Sequence, residues 1–150
     1  MAVAVTYSHQ FLLECIRKEH DLEDDTLKII LLGSAFAFDP DTHALYSNVS
    51  ASEIDNGYGY TTGGVTLTSV AATIDTTGNK VDIAADSVTW TAAAGPIPTV
   101  GAAIVYNDTH ASKTVIMCID FGDGVSYDTA DTHLLQINFA GGFGEVNNAS

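Results

Sequence analysis

The feature that most constrains the fold is a series of short apolar runs, separated by turn sequences, that fills the chain beyond residue 64. These runs are rich in β-branched residues and alternate apolar with polar positions, as half-buried strands do. We predict six strands here: Val65–Ile74, Lys80–Ile83, Ser87–Thr91, Ala102–Asn107, Thr114–Phe121 and Leu134–Phe139. No helical segment separates these strands, so the pattern indicates a mainly β fold, an antiparallel β-sandwich or barrel.

One α-helix is predicted near the N-terminus, over Tyr7–Glu19. Thr6 or Ser8 is suited to cap its first turn. Its apolar residues recur at helical spacing, and we expect them to form the buried face: Phe11, Leu12, Cys15 and Ile16. The residues before the helix carry no helical signal, and we expect them to be an apolar arm that reaches a neighbouring molecule: Met1, Ala2, Val3, Ala4 and Val5.

Between the helix and the strand series, the sequence predicts one further strand and one helical turn. Leu27–Leu32 is apolar at nearly every position, which is typical of a strand covered on both faces. Ser50 and Glu53 have capping-box spacing, so a helical turn is expected to follow Ser50. We interpret the 150 residues as one domain, with an arm at 1–6, a helix at 7–20 and a β domain at 25–146.

Charge and cysteine content exclude several classes of function. The chain has 19 acidic residues against 5 lysines and arginines, a net charge of −14. A nucleic-acid-binding protein or one that adheres to anionic membranes needs clustered cations, so neither partner is expected. The N-terminus does not read as a signal peptide, and we expect folding in a reducing cytoplasm. Cys15 and Cys118 are therefore expected to be two buried thiols rather than a disulfide.

The stretch "GYGYTTGG" at 57–64 resembles a phosphate-binding loop only in its glycines. A phosphate loop needs a following helix and usually a lysine, whereas this stretch has no lysine and precedes β-branched residues. We interpret the glycines as a bend that enters a strand. Likewise, Asp120-Phe121-Gly122 has the letters of a kinase motif without the rest of a kinase, and we expect a strand that ends in a turn at 122–124.

No pattern in the chain predicts catalysis or a bound cofactor. The histidines do not adjoin a recognisable nucleophile. His9 and His20 flank the predicted helix, and we expect solvated loop histidines at His43, His110 and His133. A weak candidate for a metal site is the loop "FDPDTH", with Asp39, Asp41 and His43. Asp is also a common turn former, which explains this loop without a metal.

Aromatic residues in loops are the remaining candidates for a binding surface. Four tyrosines are expected to lie in loops: Tyr46, Tyr58, Tyr60 and Tyr127. Tyrosines near acidic and amide side chains suit either a sugar platform or a protein interface. Trp90 is better explained by packing in the core.

Several motifs occur in an order that resembles a family of small structural proteins of tailed bacteriophages. They are "DTLKIILLGSAFAFDPDTHALYSNVSASEI", "GYGYTTGGVTLTSV", "DSVTWTA", "AAIVYND", "CIDFGDG" and "LLQINFAGGFGEV", and they span residues 25–146. The resemblance implies a non-enzymatic virion protein that is assembled in the host bacterial cytoplasm. Within that class we favour a capsid decoration, or cement, protein.

A decoration protein would have the major capsid protein and copies of itself as partners, with a trimer as one arrangement. The N-terminal arm and the loop tyrosines would then be the contacts with these partners. Two alternatives remain open. One is a neck, tail or fibre-adaptor component of the virion, and the other is a carbohydrate-binding module.

Overall fold

The computed structural model describes residues 4–78, 80–125, 134–137, 139 and 144–147. This part of the chain contains ten β-strands and two short α-helices. Side chains are described at these positions except 123–125, 134 and 144–147. The strands are β1 Ala4–Tyr7, β2 Leu27–Gly33, β3 Val65–Thr66, β4 Ala71–Asp75, β5 Lys80–Ala84, β6 Val88–Thr91, β7 Val100–Asn107, β8 Val115–Val125, β9 Leu134–Ile137 and β10 Gly144–Asn147. The helices are α1 His9–Ile16 and α2 Tyr46–Val49, and a 3-10 turn follows at Ser50–Ser52. None of these described helices is long and apolar enough to cross a lipid bilayer.

The strands form three antiparallel sheets. The largest has the order β1-β8-β7-β2-β3, the second has the order β10-β5-β4, and the third pairs β6 with β9. The predicted mainly β, antiparallel, sandwich-like fold with one N-terminal helix is therefore confirmed. The strands predicted from Lys80 onward are confirmed as β5 to β9, and each begins within two residues of its predicted start.

The five-stranded sheet, which we call the central sheet, is covered on both faces, as the sequence of β2 predicts. Leu27, Ile29 and Leu31 face a core that also contains Trp90. The intervening residues Ile30 and Leu32 pack with other residues on the opposite face: Phe36, Phe38, Tyr46, Val49 and Tyr106. Because side chains alternate along a strand, these five apolar residues of β2 fill two separate layers.

The expected N-terminal arm over residues 1–6 is wrong for Ala4, Val5 and Thr6. These three residues belong to β1, which pairs with β8 from Ala4 opposite Asp120 to Tyr7 opposite Met117. Pairing satisfies backbone groups that a free arm would leave to water, and it adds a strand to an otherwise open sheet edge. Residues 1–3 lie outside the described residues.

Helix α1 is shorter than predicted and ends in a Schellman motif. Ser8 caps its first turn, since its hydroxyl accepts a hydrogen bond from the Phe11 amide at 3.4 Å. At the other end Lys18 has a φ of +62°, and the Glu19 amide donates to the Glu14 carbonyl at 3.0 Å. This left-handed residue after Arg17 stops the helix, although the position usually holds glycine.

The buried face of α1 is also not the predicted one. Phe11 and Glu14 are buried, whereas Leu12, Cys15 and Ile16 are exposed. The helix therefore turns a carboxylate inward and apolar side chains outward. This arrangement is stable only because the carboxylate finds hydrogen-bond donors inside the protein.

Two predicted strand boundaries are wrong. The segment Val65–Ile74 is two strands, β3 and β4, because Ser69 has a φ of +55° that interrupts the extended chain. The turn expected at 122–124 does not end β8, which continues to Val125. Instead, Gly122 has a φ of +81° and lies in an irregularity where the pairing with β7 shifts. The helical turn expected after Ser50 is confirmed as the 3-10 turn.

Candidate functional site

The glycine-rich stretch is a structural bend. Gly57 and Tyr60 exchange backbone hydrogen bonds at 2.9 Å in both directions, with Tyr58 and Gly59 between them at φ values of +53° and +92°. Positive φ at both central residues is the pattern of a type I′ turn. A Cβ at Gly59 would overlap the Thr91 carbonyl. The glycines thus permit a tight turn and a close approach between backbones, as the sequence predicts.

Glu53 holds this bend against the central sheet through hydrogen bonds. Its Oε1 accepts from the Tyr60 hydroxyl at 2.6 Å and from the Gly63 amide at 2.7 Å, and its Oε2 accepts from the Tyr46 hydroxyl at 2.8 Å. The Tyr60 hydroxyl also accepts from the Leu31 amide of β2. Burial and the bond to Glu53 raise the pKa of Tyr46 to about 12 and raise that of Tyr60 further. Both phenols therefore stay protonated.

The loop tyrosines consequently differ in what they offer to a partner. Tyr60 is 2% exposed, so its prediction as a contact residue is wrong. Tyr46 is half-buried in α2 and its ring stacks on Tyr106 at 4.7 Å between centroids. Tyr58 is 50% exposed and its ring lies against Gly95. Tyr127 lies outside the described residues. Trp90, at 3% exposed, is in the core as predicted.

A buried polar cluster around Glu14 joins α1 to β8 and to the turn that precedes it. Glu14 accepts hydrogen bonds from Gln10 at 2.7 Å, from Thr114 at 2.7 Å and from His20 at 2.8 Å. Burial opposes the charge on Glu14, but these bonds outweigh it and hold the pKa of the carboxyl below its ordinary value of 4.5. The carboxylate is thus ionised and internally satisfied.

The hydrogen-bond pattern fixes the proton positions on His20. Asn107 Oδ1 accepts from the Thr109 and His110 amides, so the Asn107 amide group must present Nδ2 to His20 Nδ1 at 2.9 Å. His20 Nδ1 is therefore an acceptor, and Nε2 carries the proton that it donates to Glu14. The side chain of His20 is fully buried.

His110 closes the cluster on the side toward solvent. The Thr114 hydroxyl has one proton, which it donates to Glu14. In the 3.0 Å contact between Thr114 Oγ1 and His110 Nδ1, the imidazole N–H is therefore the donor. His110 Nε2 then faces a Glu19 oxygen at 3.8 Å. Only 18% of the His110 side chain is exposed, so the prediction of a solvated loop histidine is wrong for His110. His133 lies outside the described residues.

The weak metal candidates do not form a ligand set. The Asp39 carboxylate accepts from the Asp41 amide at 2.9 Å, His43 Nδ1 accepts from the Asp39 amide at 2.9 Å, and Asp41 bonds to His9 at 2.6 Å. These side chains stabilise the loop as turn formers. Among the described residues, the carboxylate and imidazole atoms close enough for one ion are instead those of Glu14, Glu19 and His110, within 4.8 Å of one another. The Glu14 oxygens already have donors.

The two cysteines do not pair. Cys118 is buried, and burial followed by the charge of Asp120 raises the pKa of its thiol to about 12, so it is unreactive near neutral pH. Cys15 is exposed on α1, so the expectation of two buried thiols is wrong for it. A surface depression of about 200 Å³ lined by Gly33, Ala35, Phe36 and Ser52 contains no ionisable group.

Comparisons with protein-family models, curated proteins and solved structures find no match for this chain. The function must therefore be inferred from the geometry and from the sequence resemblance. In that geometry Tyr46 and Tyr60 donate to Glu53, and His20 donates to Glu14, so these groups hold the fold. What the described surface offers is a set of large apolar side chains: Val5, Leu12, Leu13, Ile16, Tyr58, Val65 and Ile74.

Proposed function

We propose that this protein is a non-enzymatic structural component of a tailed-bacteriophage virion, and that it decorates the outer surface of the capsid. The observation that supports the proposal is that polar side chains are bonded inside the fold whereas large apolar side chains are exposed. Polar groups suited to catalysis are used to hold the fold, while apolar groups suited to contact are left exposed. Exposed apolar residues are typical of interaction surfaces.

The sequence resemblance to phage structural proteins supports the same function. A decoration protein needs a rigid body and an exposed contact surface rather than a reactive pocket, because it binds many equivalent positions on a shell. Its partners would be the major capsid protein and other copies of itself, and its place would be the virion. A carbohydrate platform is less well supported, because Tyr46 and Tyr60 donate their hydroxyls to Glu53.

Two of the predicted contact residues keep that role in the proposal. Val5 is 47% exposed on β1, which lies at the edge of the central sheet, and Ala4 beside it is exposed. An edge strand can add a partner's strand or loop through its free backbone groups. Tyr58 is a second contact because the turn holds its ring outward, half exposed against Gly95. We assign both to the contact with the capsid.

Changing these two residues together is expected to weaken capsid binding without unfolding the protein. The pair Val5→Thr and Tyr58→Asn removes apolar contact yet suits a strand and a type I′ turn, respectively. Loss of a tyrosine anchor typically costs about tenfold or more in affinity. Binding would be measured by cosedimentation of purified protein with capsid shells that lack it.

Ile74→Thr is the matched control, since Ile74 is 80% exposed on β4, a strand of a different sheet. It should bind shells like the wild type. Equal weakening by the control would show that Val5 and Tyr58 are not the contact. Failure of the wild-type protein to bind shells at all would reject capsid decoration itself.

A further inference from the structure

The outward face of α1 is an apolar patch on a helix whose other face is buried. Leu12, Leu13 and Ile16 are 46%, 41% and 82% exposed. At 3.6 residues per turn these three lie on one side of the helix, opposite Phe11 and Glu14. We refer to Leu12, Leu13 and Ile16 as the outer face.

The two ends of the outer face carry opposite charges. At the N-terminal end, Asp41 is held by His9 at 2.6 Å with 75% of its side chain exposed. The His9 amide also bonds the Pro40 carbonyl at 3.1 Å, which fixes this loop beside the helix. At the C-terminal end, Arg17 and Lys18 are both exposed. The order is therefore acidic at Asp41 beside the first turn, apolar along the outer face and basic at Arg17 and Lys18. The next residue, the exposed Glu19, faces His110 at 3.8 Å.

The basic end is unusual in this protein because its cations are not engaged. Lys28 and Lys113 pair with Asp108 at 2.9 and 2.7 Å, and Lys80 pairs with Asp82 at 3.0 Å. Within the part of the chain that the structure describes, Arg17 and Lys18 have no such ion pair. In a chain of net charge −14, these two cations are available to an acidic partner.

We propose that two copies of this protein pack α1 against α1 in antiparallel orientation, related by a twofold axis near Leu13. Leu13 lies midway between His9 and Arg17, so the twofold sets the basic end of each copy against Asp41 of the other. The apolar residues of both copies then meet in the middle. When two such strips lie antiparallel, the acidic end of each faces the basic end of the other. A surface that is complementary to itself in this way is required for an isologous contact.

The size of this contact sets its strength. The eight residues of α1 extend about 12 Å, so the buried area is well below the roughly 800 Å² per partner of stable complexes. A contact this small is expected to give a weak dimer. The inference is independent of the capsid role, since it concerns the purified protein alone.

Disulfide trapping at the twofold axis tests the orientation directly. Leu13→Cys in a Cys15→Ser background places one exposed thiol next to its own copy, while the buried Cys118 does not react. Mild oxidation is expected to yield covalent dimer at least about tenfold faster than in the control Ile74→Cys, Cys15→Ser, although position 74 is the more exposed of the two, at 80% against 41% for Leu13. Trapping no faster than in this control overturns the proposal.

Charge exchange tests the complementarity in solution. Sedimentation equilibrium should show that Arg17→Glu with Lys18→Glu loses the dimer. Adding Asp41→Lys to that variant reverses both ends and should restore it, because the strip is again self-complementary. Dimerisation of the double variant at wild-type strength, or no recovery in the triple variant, overturns the proposal. The proposal would also be overturned if the wild-type protein were monomeric and the Leu13→Ser variant failed to bind capsid shells. That result would assign the outer face to the contact with the capsid protein.

Discussion

Replacing Gly64 with alanine is expected to lower the free energy of unfolding by roughly 2–6 kcal/mol. Gly64 has a φ of +77°, a conformation that costs energy for any residue with a side chain. In addition, a Cβ at this position would overlap the Ile29 carbonyl of β2 and come within 2.8 Å of the Ile30 side chain. Both obstacles belong to β2, which cannot move aside without disturbing the core layers on its two faces.

Gly63→Ala separates these two costs. Gly63 has a similar φ of +93°, but nothing lies within 4 Å of the position its Cβ would take. Its substitution should cost only the backbone strain, about 1–3 kcal/mol. Urea denaturation of both variants would measure the difference. If Gly64→Ala were no more destabilising than Gly63→Ala, close packing of the bend on β2 would be wrong.

Replacing Glu14 with alanine is expected to destabilise the protein by about 3–5 kcal/mol. The change leaves the His20 N–H and the Thr114 hydroxyl without their acceptor, and both side chains are fully buried. Unsatisfied buried donors cost more than the lost bonds contribute. A matched control is Leu12→Ala on the exposed side of the same helix, which should cost less than about 1 kcal/mol.

Glu14→Gln isolates the charge from the hydrogen bonds. The glutamine oxygen can accept from His20 and Thr114, and the neighbouring Gln10 can turn its amide to accept from the new N–H group. Because the folded pKa of Glu14 is lowered, the stability from its charge is present above its ordinary pKa and lost as pH falls through the folded value. Wild type should therefore lose more stability than Glu14→Gln between neutral pH and acid. Equal acid sensitivity would contradict an ionised Glu14 in the native state.

The β part of the fold follows from the sequence because alternation directly reports which side of a strand is buried. In β2, five of the six residues from Leu27 to Leu32 are apolar, which indicates two covered faces, and the structure has both. The glycine bend is similarly predictable, since glycine adopts positive φ at low cost and has no Cβ to collide with the neighbouring backbone at Gly59 and Gly64. In contrast, the break at Ser69 is a positive φ in a non-glycine residue, which no residue pattern announces.

The polar interior is not predictable from local pattern because its partners are far apart in the chain. Glu14 bonds to Thr114, 100 positions later, and Asn107 bonds to His20, 87 positions earlier. Hydrophobic periodicity places leucine inward and glutamate outward, and α1 reverses both. One signal was present: Glu14 lies three residues after Phe11 and shares its side of the helix. Reading that side as the buried one would have left Leu12 and Ile16 outside.

The proposed function is capsid decoration. Its most direct test is the copy number of the protein relative to the major capsid protein in purified phage particles, measured by quantitative mass spectrometry. A decoration protein should approach the copy number of the capsid protein, because it binds repeatedly over the lattice. A neck, tail or fibre component would be present in only a few copies per particle. A ratio near that of a neck or tail component, or absence from the particle, would contradict the proposed function.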